Sequence, residues 1–305
     1  MFIGKSDLIA NIPYFGECAS FFVAGLWALA VILFKKSGES VHPLALNLLK
    51  TSLGAILLFI TLLILGEPLI RNAPARDYLL LFVSGVAGIG IADTLFFKSL
   101  NLLGAGMSAI VDCLYSPFII FMSIIFLGES LGLLQIFGVV MILSAVLTAM
   151  SRKARGKITR QNLFWGICCG AAAMFAMAFG IVIIKPMLNT TSLMWVVEIR
   201  VLSGAVVLFL IVLFRHDRRE MFRSLITIKN WRYTLTSSVL GGYICVIIWL
   251  AGMKYTQAST AAALNQTSNI FIFIFAAVFL KESFTRQRIW AIILAVSGAV
   301  LVTFG

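Results

Sequence analysis

The chain has 305 residues, of which 61% are hydrophobic and only 12% charged. That is too little polar surface to coat a soluble globule of this length, so a water-soluble fold is excluded and an all-α integral membrane protein is predicted. The net charge of +12 is spread over loops between apolar runs rather than over one soluble basic face, which argues against nucleic acid as a partner. In chain order, apolar runs of roughly the 20 residues needed to cross the hydrocarbon predict ten transmembrane helices. They fall near 16–34, 43–65, 78–98, 105–127, 131–150, 163–184, 192–214, 233–253, 259–280 and 287–304. Segments such as Phe271 to Leu280 are apolar on every side, unlike the alternating strands of a barrel. The first run is too long for a signal peptide and no small-residue cleavage pattern follows it, so it is expected to be retained.

The cysteines, Cys18, Cys113, Cys168, Cys169 and Cys245, fall inside predicted helices without CxxC or Cys/His spacing. His42 and His216 fall near helix ends. No metal, cofactor or Ser/His/Asp arrangement is therefore expected.

The sequence is written twice. A forward shift of 153 positions carries Phe126, Leu127, Glu129 and Ser130 onto Phe279, Leu280, Glu282 and Ser283, and Ile136 and Ser144 onto Ile289 and Ser297. A shift of 150 carries Lys50, Gly54, Ala55, Leu58 and Phe59 onto Arg200, Gly204, Ala205, Leu208 and Phe209. The expected units are 1–151 and 152–305, with five crossings each. An odd number of crossings places the second unit upside down relative to the first, an architecture common in secondary transporters.

The loops after predicted helices 1, 3, 5, 7 and 9 hold 17 lysines and arginines, against 5 on the opposite side and at the N-terminus. By the positive-inside rule the rich side is cytoplasmic and both termini lie outside. Between Arg215 and Arg232, Met221, Phe222, Leu225, Ile226 and Trp231 interleave with cations, the pattern of a segment lying on anionic membrane lipids.

Charge within a spanning helix is costly, and such positions are where mechanism is sought. Lys50, Asp93 and Asp112 reach similar depths from one face in the first half. Glu198, Arg200, Asn265, Gln266 and Asn269 do so in the second. Arg200 is the counterpart of Lys50, and Asn265 of Asp112. Helical spacing places Ser108, Asp112, Tyr115 and Ser116 on one stripe, and Asn265, Ser268 and Asn269 on another. Two readings follow. In one, Lys50 with Asp112 and Glu198 with Arg200 are fixed structural pairs. In the other, Lys50 and Arg200 contact an anionic group, Asp93 or Asp112 exchanges a proton, and Asn265, Gln266, Asn269 and Tyr115 hydrogen-bond a small polar substrate. Trp27, Trp195, Tyr243 and Trp249 are read as packing residues. Glu129 and Glu282, each followed by serine, are read as start signals for helices 5 and 10. Pro117 and Pro186 are expected to bend or end helices.

The duplicated ten-helix layout, the small-residue starts Ala105 to Ala109 and Ala258 to Ala263, and the segments LGES and LKES resemble EamA-type carriers of the drug/metabolite transporter superfamily. The resemblance covers nearly the whole chain. It implies two inverted five-helix bundles around a central cavity, with helices 5 and 10 peripheral. It further implies alternating-access transport of a small metabolite such as an amino acid, often outward, across a bacterial or archaeal inner membrane. It also implies cytoplasmic termini, against the charge bias. Competing classes are a non-transporting assembly partner or lipid-handling subunit and, as an enzyme, an intramembrane aspartyl protease on Asp93 and Asp112. The run GIGIAD, from Gly88 to Asp93, misplaces the glycine such a protease motif needs, so no enzyme is expected.

Overall fold

The computed structural model describes residues 13–127, 132–149, 158–188, 190–228, 230–256, 258–282 and 285–304. They form long helices, numbered here α1 (Phe15–Gly38), α2 (Pro43–Leu65), α3 (Ala75–Leu103), α4 (Ala105–Asp112 and Tyr115–Leu127), α5 (Leu133–Ala149), α6 (Arg160–Val182), α7 (Leu193–Phe214), α8 (Trp231–Tyr255), α9 (Ala258–Leu280) and α10 (Arg286–Phe304). Seven helices among the described residues are long and apolar enough to cross a membrane: α1 to α4 and α6 to α8. The continuous apolar stretches in α5 and α9 are shorter, Leu133–Thr148 and Leu264–Leu280.

Local chemistry accounts for the ends and breaks. His42 caps α2 by accepting from the Leu44 N–H at 3.3 Å, and Pro43 follows at the first helical position, where its missing N–H is harmless. Pro117 cannot donate to the Cys113 carbonyl four residues back, and its ring crowds that oxygen. The break in α4 falls there, at Cys113 and Leu114. Pro186 acts in the same way on Val182, which is the last residue of α6. Both prolines thus end helices as expected.

Within α3, residues Val86–Ile91 form a π-helical stretch, and within α8 Leu240–Ile244 do so. These are the same place in the two halves, since a shift of 153 carries Val86, Gly88 and Ile91 onto Val239, Gly241 and Ile244. A π turn leaves carbonyls without their usual helical partners, and such turns recur at functional sites. In α3 the side-chain amide of Asn47 on α2 donates to the Ile89 and Gly90 carbonyls at 2.8 and 3.3 Å and to Thr94 Oγ1 at 2.9 Å. The α2–α8 contact is equally close. A Cβ placed on Gly54 would collide with the Gly242 carbonyl oxygen, so the two backbones meet only because Gly54 has none.

Packing follows a two-fold pattern. The main partners are α5 with α10, α2 with α7, α3 with α6 and correspondingly α8 with α1, and α1 with α9 and correspondingly α6 with the second piece of α4. α9 also packs along the first piece of α4. The segment between α7 and α8 forms a short helix, Arg218–Ile226, resting on the start of α2. Before it, Arg215 and Asp217 pair through two hydrogen bonds of 2.7 and 2.8 Å, which hold the guanidinium above and the carboxyl below their ordinary pKa values.

Candidate functional site

A cavity of about 180 Å³ lies between the halves. Its walls come from Val23, Ala24 and Trp27 of α1, Lys50 of α2, Gly88, Ile89, Ala92, Asp93 and Phe96 of α3, and Asp112 and Tyr115 of α4. The second half supplies Met174 and Met177 of α6, Arg200 of α7, Gly241, Cys245, Val246 and Trp249 of α8, and Asn265, Gln266, Ser268 and Asn269 of α9. Among the described residues, neither α5 nor α10 contributes a wall. Shifts of 150 or 153 turn much of one wall into the other: Ala24 into Met174, Trp27 into Met177, Lys50 into Arg200, Gly88 into Gly241, Ala92 into Cys245, Phe96 into Trp249, Asp112 into Asn265 and Tyr115 into Ser268.

The polar groups in this cavity divide into satisfied and unsatisfied sets. Lys50 and Asp93, both buried, form an ion pair, with the ammonium 5.5 Å from the centre of the Phe97 ring. The reading that joined Lys50 to Asp112 is therefore corrected. Depth along the helices was similar for both aspartates, but it is Asp93, two residues beyond the π turn, that meets Lys50 on α2. On the other side of the cavity, Gln266 donates to Ser116 Oγ at 2.8 Å, and Asn269 donates to Gln266 Oε1 at 2.6 Å and to Cys113 Sγ at 3.3 Å. These two amides tie α9 to the break in α4.

Four buried cavity atoms have no hydrogen-bond partner among the described residues: Asp112 Oδ1, Tyr115 Oη, Arg200 Nε and Asn265 Nδ2. Asp112 is only 8% exposed and makes no ion pair among the described residues. Buried polar groups are almost always satisfied by protein or water, and an uncompensated carboxylate in an apolar interior is among the most costly. All four atoms belong to residues that line this one cavity.

Glu198 departs from the expectation. It is buried on α7 but does not line the cavity, and it forms no ion pair with Arg200 among the described residues. Residues two apart on a helix face different directions, so only one of the two can point inwards. Trp27 and Trp249 line the cavity rather than serving only as packing. Trp195 does pack, edge to face with Tyr78, and donates to the Leu69 carbonyl at 2.9 Å, while Tyr243 bonds Thr61 at 2.7 Å. Glu282 is corrected as well. Its carboxylate accepts from the Ala105 and Gly106 N–H groups at 2.8 and 3.1 Å, so it caps α4 of the other half and not α10. Glu129 lies outside the described residues. Sequence reasoning missed Asn47 and the apolar walls Phe96, Met174, Met177 and Val246, which nothing in an apolar helix distinguishes from lipid-facing neighbours.

Comparison with known proteins bears on this arrangement. The EamA-like transporter family model matches residues 14–151 and again 164–304. An uncharacterized transporter of Methanothermobacter thermautotrophicus is 25% identical over 292 residues, covering 91% of this chain and 81% of that one. A crystal structure superposes with a TM-score of 0.67 over 94% of each chain at 19% identity, a likeness of fold alone. Family and relative both point to a multi-pass membrane transporter rather than an enzyme. With both matched stretches together spanning nearly its whole length, the chain belongs to the EamA-like transporter family.

Proposed function

We propose that the chain carries a small zwitterionic metabolite, of the size and polarity of an amino acid with an apolar side chain, by alternating access of the central cavity. The observation that carries this reading is the set of four unpartnered polar atoms on residues that line one cavity built by both halves. Arg200 receives the anionic group, because Lys50 is already neutralised by Asp93. Asp112 receives the ammonium, and in its absence a proton, which makes Asp112 rather than Asp93 the coupling carboxylate. Tyr115 and Asn265 complete the polar shell. Trp27, Trp249, Met174 and Met177 enclose the apolar part, and polarisable methionine adapts to varied shapes. The two-fold packing and the doubled family match support ten crossings arranged as inverted repeats of residues 1–151 and 152–305. The charge bias supports a cytoplasmic basic face.

The test is uptake into proteoliposomes, screening amino acids and related metabolites with and without a pH gradient, with Asp112→Asn as the comparison. A charge-assisted hydrogen bond contributes about 1.5–3 kcal/mol. Asp112→Asn should therefore raise the KM of an ammonium-bearing substrate about 10- to 100-fold and abolish the response to the gradient. Unchanged saturable, gradient-driven flux in the folded variant would overturn the assignment.

A further inference from the structure

The two halves are joined at the basic-loop end by a residue that does not line the cavity. Glu282 follows α9 on the face of the basic loops, and its two carboxylate oxygens accept from Ala105 and Gly106, the first N–H groups of α4 in the opposite half. The approach is built in. Gly104 has a φ of +82°, and a Cβ there would stand 2.8 Å from Glu282 Oε1. On the same face Lys35 donates to the Asn101 carbonyl at 3.3 Å, and Asn101 donates to the Gly38 carbonyl at 3.1 Å, joining the ends of α1 and α3. On the same helices, the Phe34 and Phe97 rings lie 4.7 Å apart at a tilt of 47°, and Ser37 bonds Thr234 at 2.5 Å. Towards the opposite face the contact runs out. α9 packs along the first piece of α4, and among the described residues it makes no comparable packing with the second piece. The α4 residues that line the cavity, Asp112 and Tyr115, flank that point of divergence.

We propose that Glu282 is the positioning residue that shuts the basic face during transport. While its carboxylate clamps the start of α4, the first piece of α4 lies against α9 and the cavity opens to the opposite face. When it lets go, α4 and α9 part on the basic face. The chemistry suits a latch. A carboxylate at a helix N-terminus gains from two charge-assisted bonds and the helix dipole, and both N–H groups lie in the first turn of α4, next to the α3–α4 connection at Gly104. Lys35 and Arg288 lie near enough to interact with its charge and can hold it in the released state. This inference rests on the transport reading for its meaning, but its test does not.

The experiment is hydrogen–deuterium exchange of the full chain in nanodiscs, comparing wild type, Glu282→Ala and Glu282→Gln without substrate. Releasing two bonds to a charged group should speed exchange at the basic-face ends of α1, α3 and α4 by about tenfold or more. Exchange should fall in parallel at the far ends of α6, near Val182, and α8, near Tyr255, as that face closes. Glu282→Gln, whose amide oxygen still accepts one bond, should shift in the same direction by less. A lost cap without gating would speed exchange only at residues 104–108. That outcome, or no change in either variant, overturns the latch. If the latch holds while no substrate is ever transported, the failure lies in the transport reading, because exchange needs no ligand.

Discussion

The Lys50–Asp93 pair offers the sharpest quantitative check on how the cavity is organised. Lys50 is 4% exposed and Asp93 6%, so each charge depends on the other. Removing one partner of a buried pair leaves an uncompensated charge and costs about 3–5 kcal/mol, whereas replacing both with neutral residues of similar volume is close to neutral or stabilising. Lys50→Met and Asp93→Asn should each lower the unfolding free energy in mixed micelles by about that amount, and the double variant should return to within about 1 kcal/mol of wild type. The coupling energy from this cycle then exceeds about 3 kcal/mol. The parallel cycle of Lys50→Met with Asp112→Asn is the control, since Asp112 makes no ion pair among the described residues. Its two effects should add to within about 0.5 kcal/mol. Strong coupling in the control with additivity in the first cycle would show that Lys50 belongs to Asp112, and the division into satisfied and open polar groups would collapse.

Gly54→Ala should destabilise by about 1–3 kcal/mol, the usual cost of overpacking, because its Cβ meets the Gly242 backbone. Gly25→Ala should be silent by the same unfolding measurement, since nothing lies within 4 Å of its Cβ. At His42 partial burial lowers the imidazole pKa, against an opposing pull from Asp217. The folded state therefore binds the proton less readily than the unfolded one, and the stability this lends is present above the ordinary histidine value near 6.5 and lost as pH falls below it. Protonation also removes Nδ1 as the acceptor for Leu44, so the unfolding midpoint should drop between pH 7 and 5, by no more than the roughly 1 kcal/mol of an N-cap. His42→Asn, which caps without titrating, should flatten that slope.

The helices were legible because a membrane imposes one composition on every crossing. The run expected at 78–98 is Ala75–Leu103, and that expected at 43–65 is Pro43–Leu65. The ionisable residues of the cavity were legible for the complementary reason, that polarity inside an apolar helix needs a cause. Pairing was not legible. Lys50 matched Asp112 in depth and Asp93 lay only slightly shallower, so depth could not decide between them, and the pairing with Asp93 just beyond the π turn emerges only in the fold. Glu282 read as a local start signal because sequence shows the helix that follows and not the helix of the other half standing beside it. Asn47 was equally hidden, since the carbonyls it satisfies are freed by that π turn.

The open chemistry of the site follows from a few departures between its halves. A shift of 150 carries Lys50 onto Arg200, so both halves project a cation into the cavity, yet the shift of 153 that relates α3 to α8 carries Asp93 onto Val246. The first cation has its neutralising carboxylate and the second has an isopropyl group. The same shift carries Asp112 onto Asn265, so the second half has an amide where the first has a carboxylate, and Asp112 makes no ion pair among the described residues. A fully symmetric cavity would satisfy both cations internally or neither. This one has a guanidinium and a carboxylate that make no direct ion pair among the described residues, both on residues lining one cavity, with Asp93 within electrostatic reach of the guanidinium. The two charges are of opposite sign, and under the proposed function one zwitterion would cancel both at once. Either ion alone would leave the other uncompensated, which is why the cavity should discriminate a zwitterion from a simple anion or a simple cation of the same size.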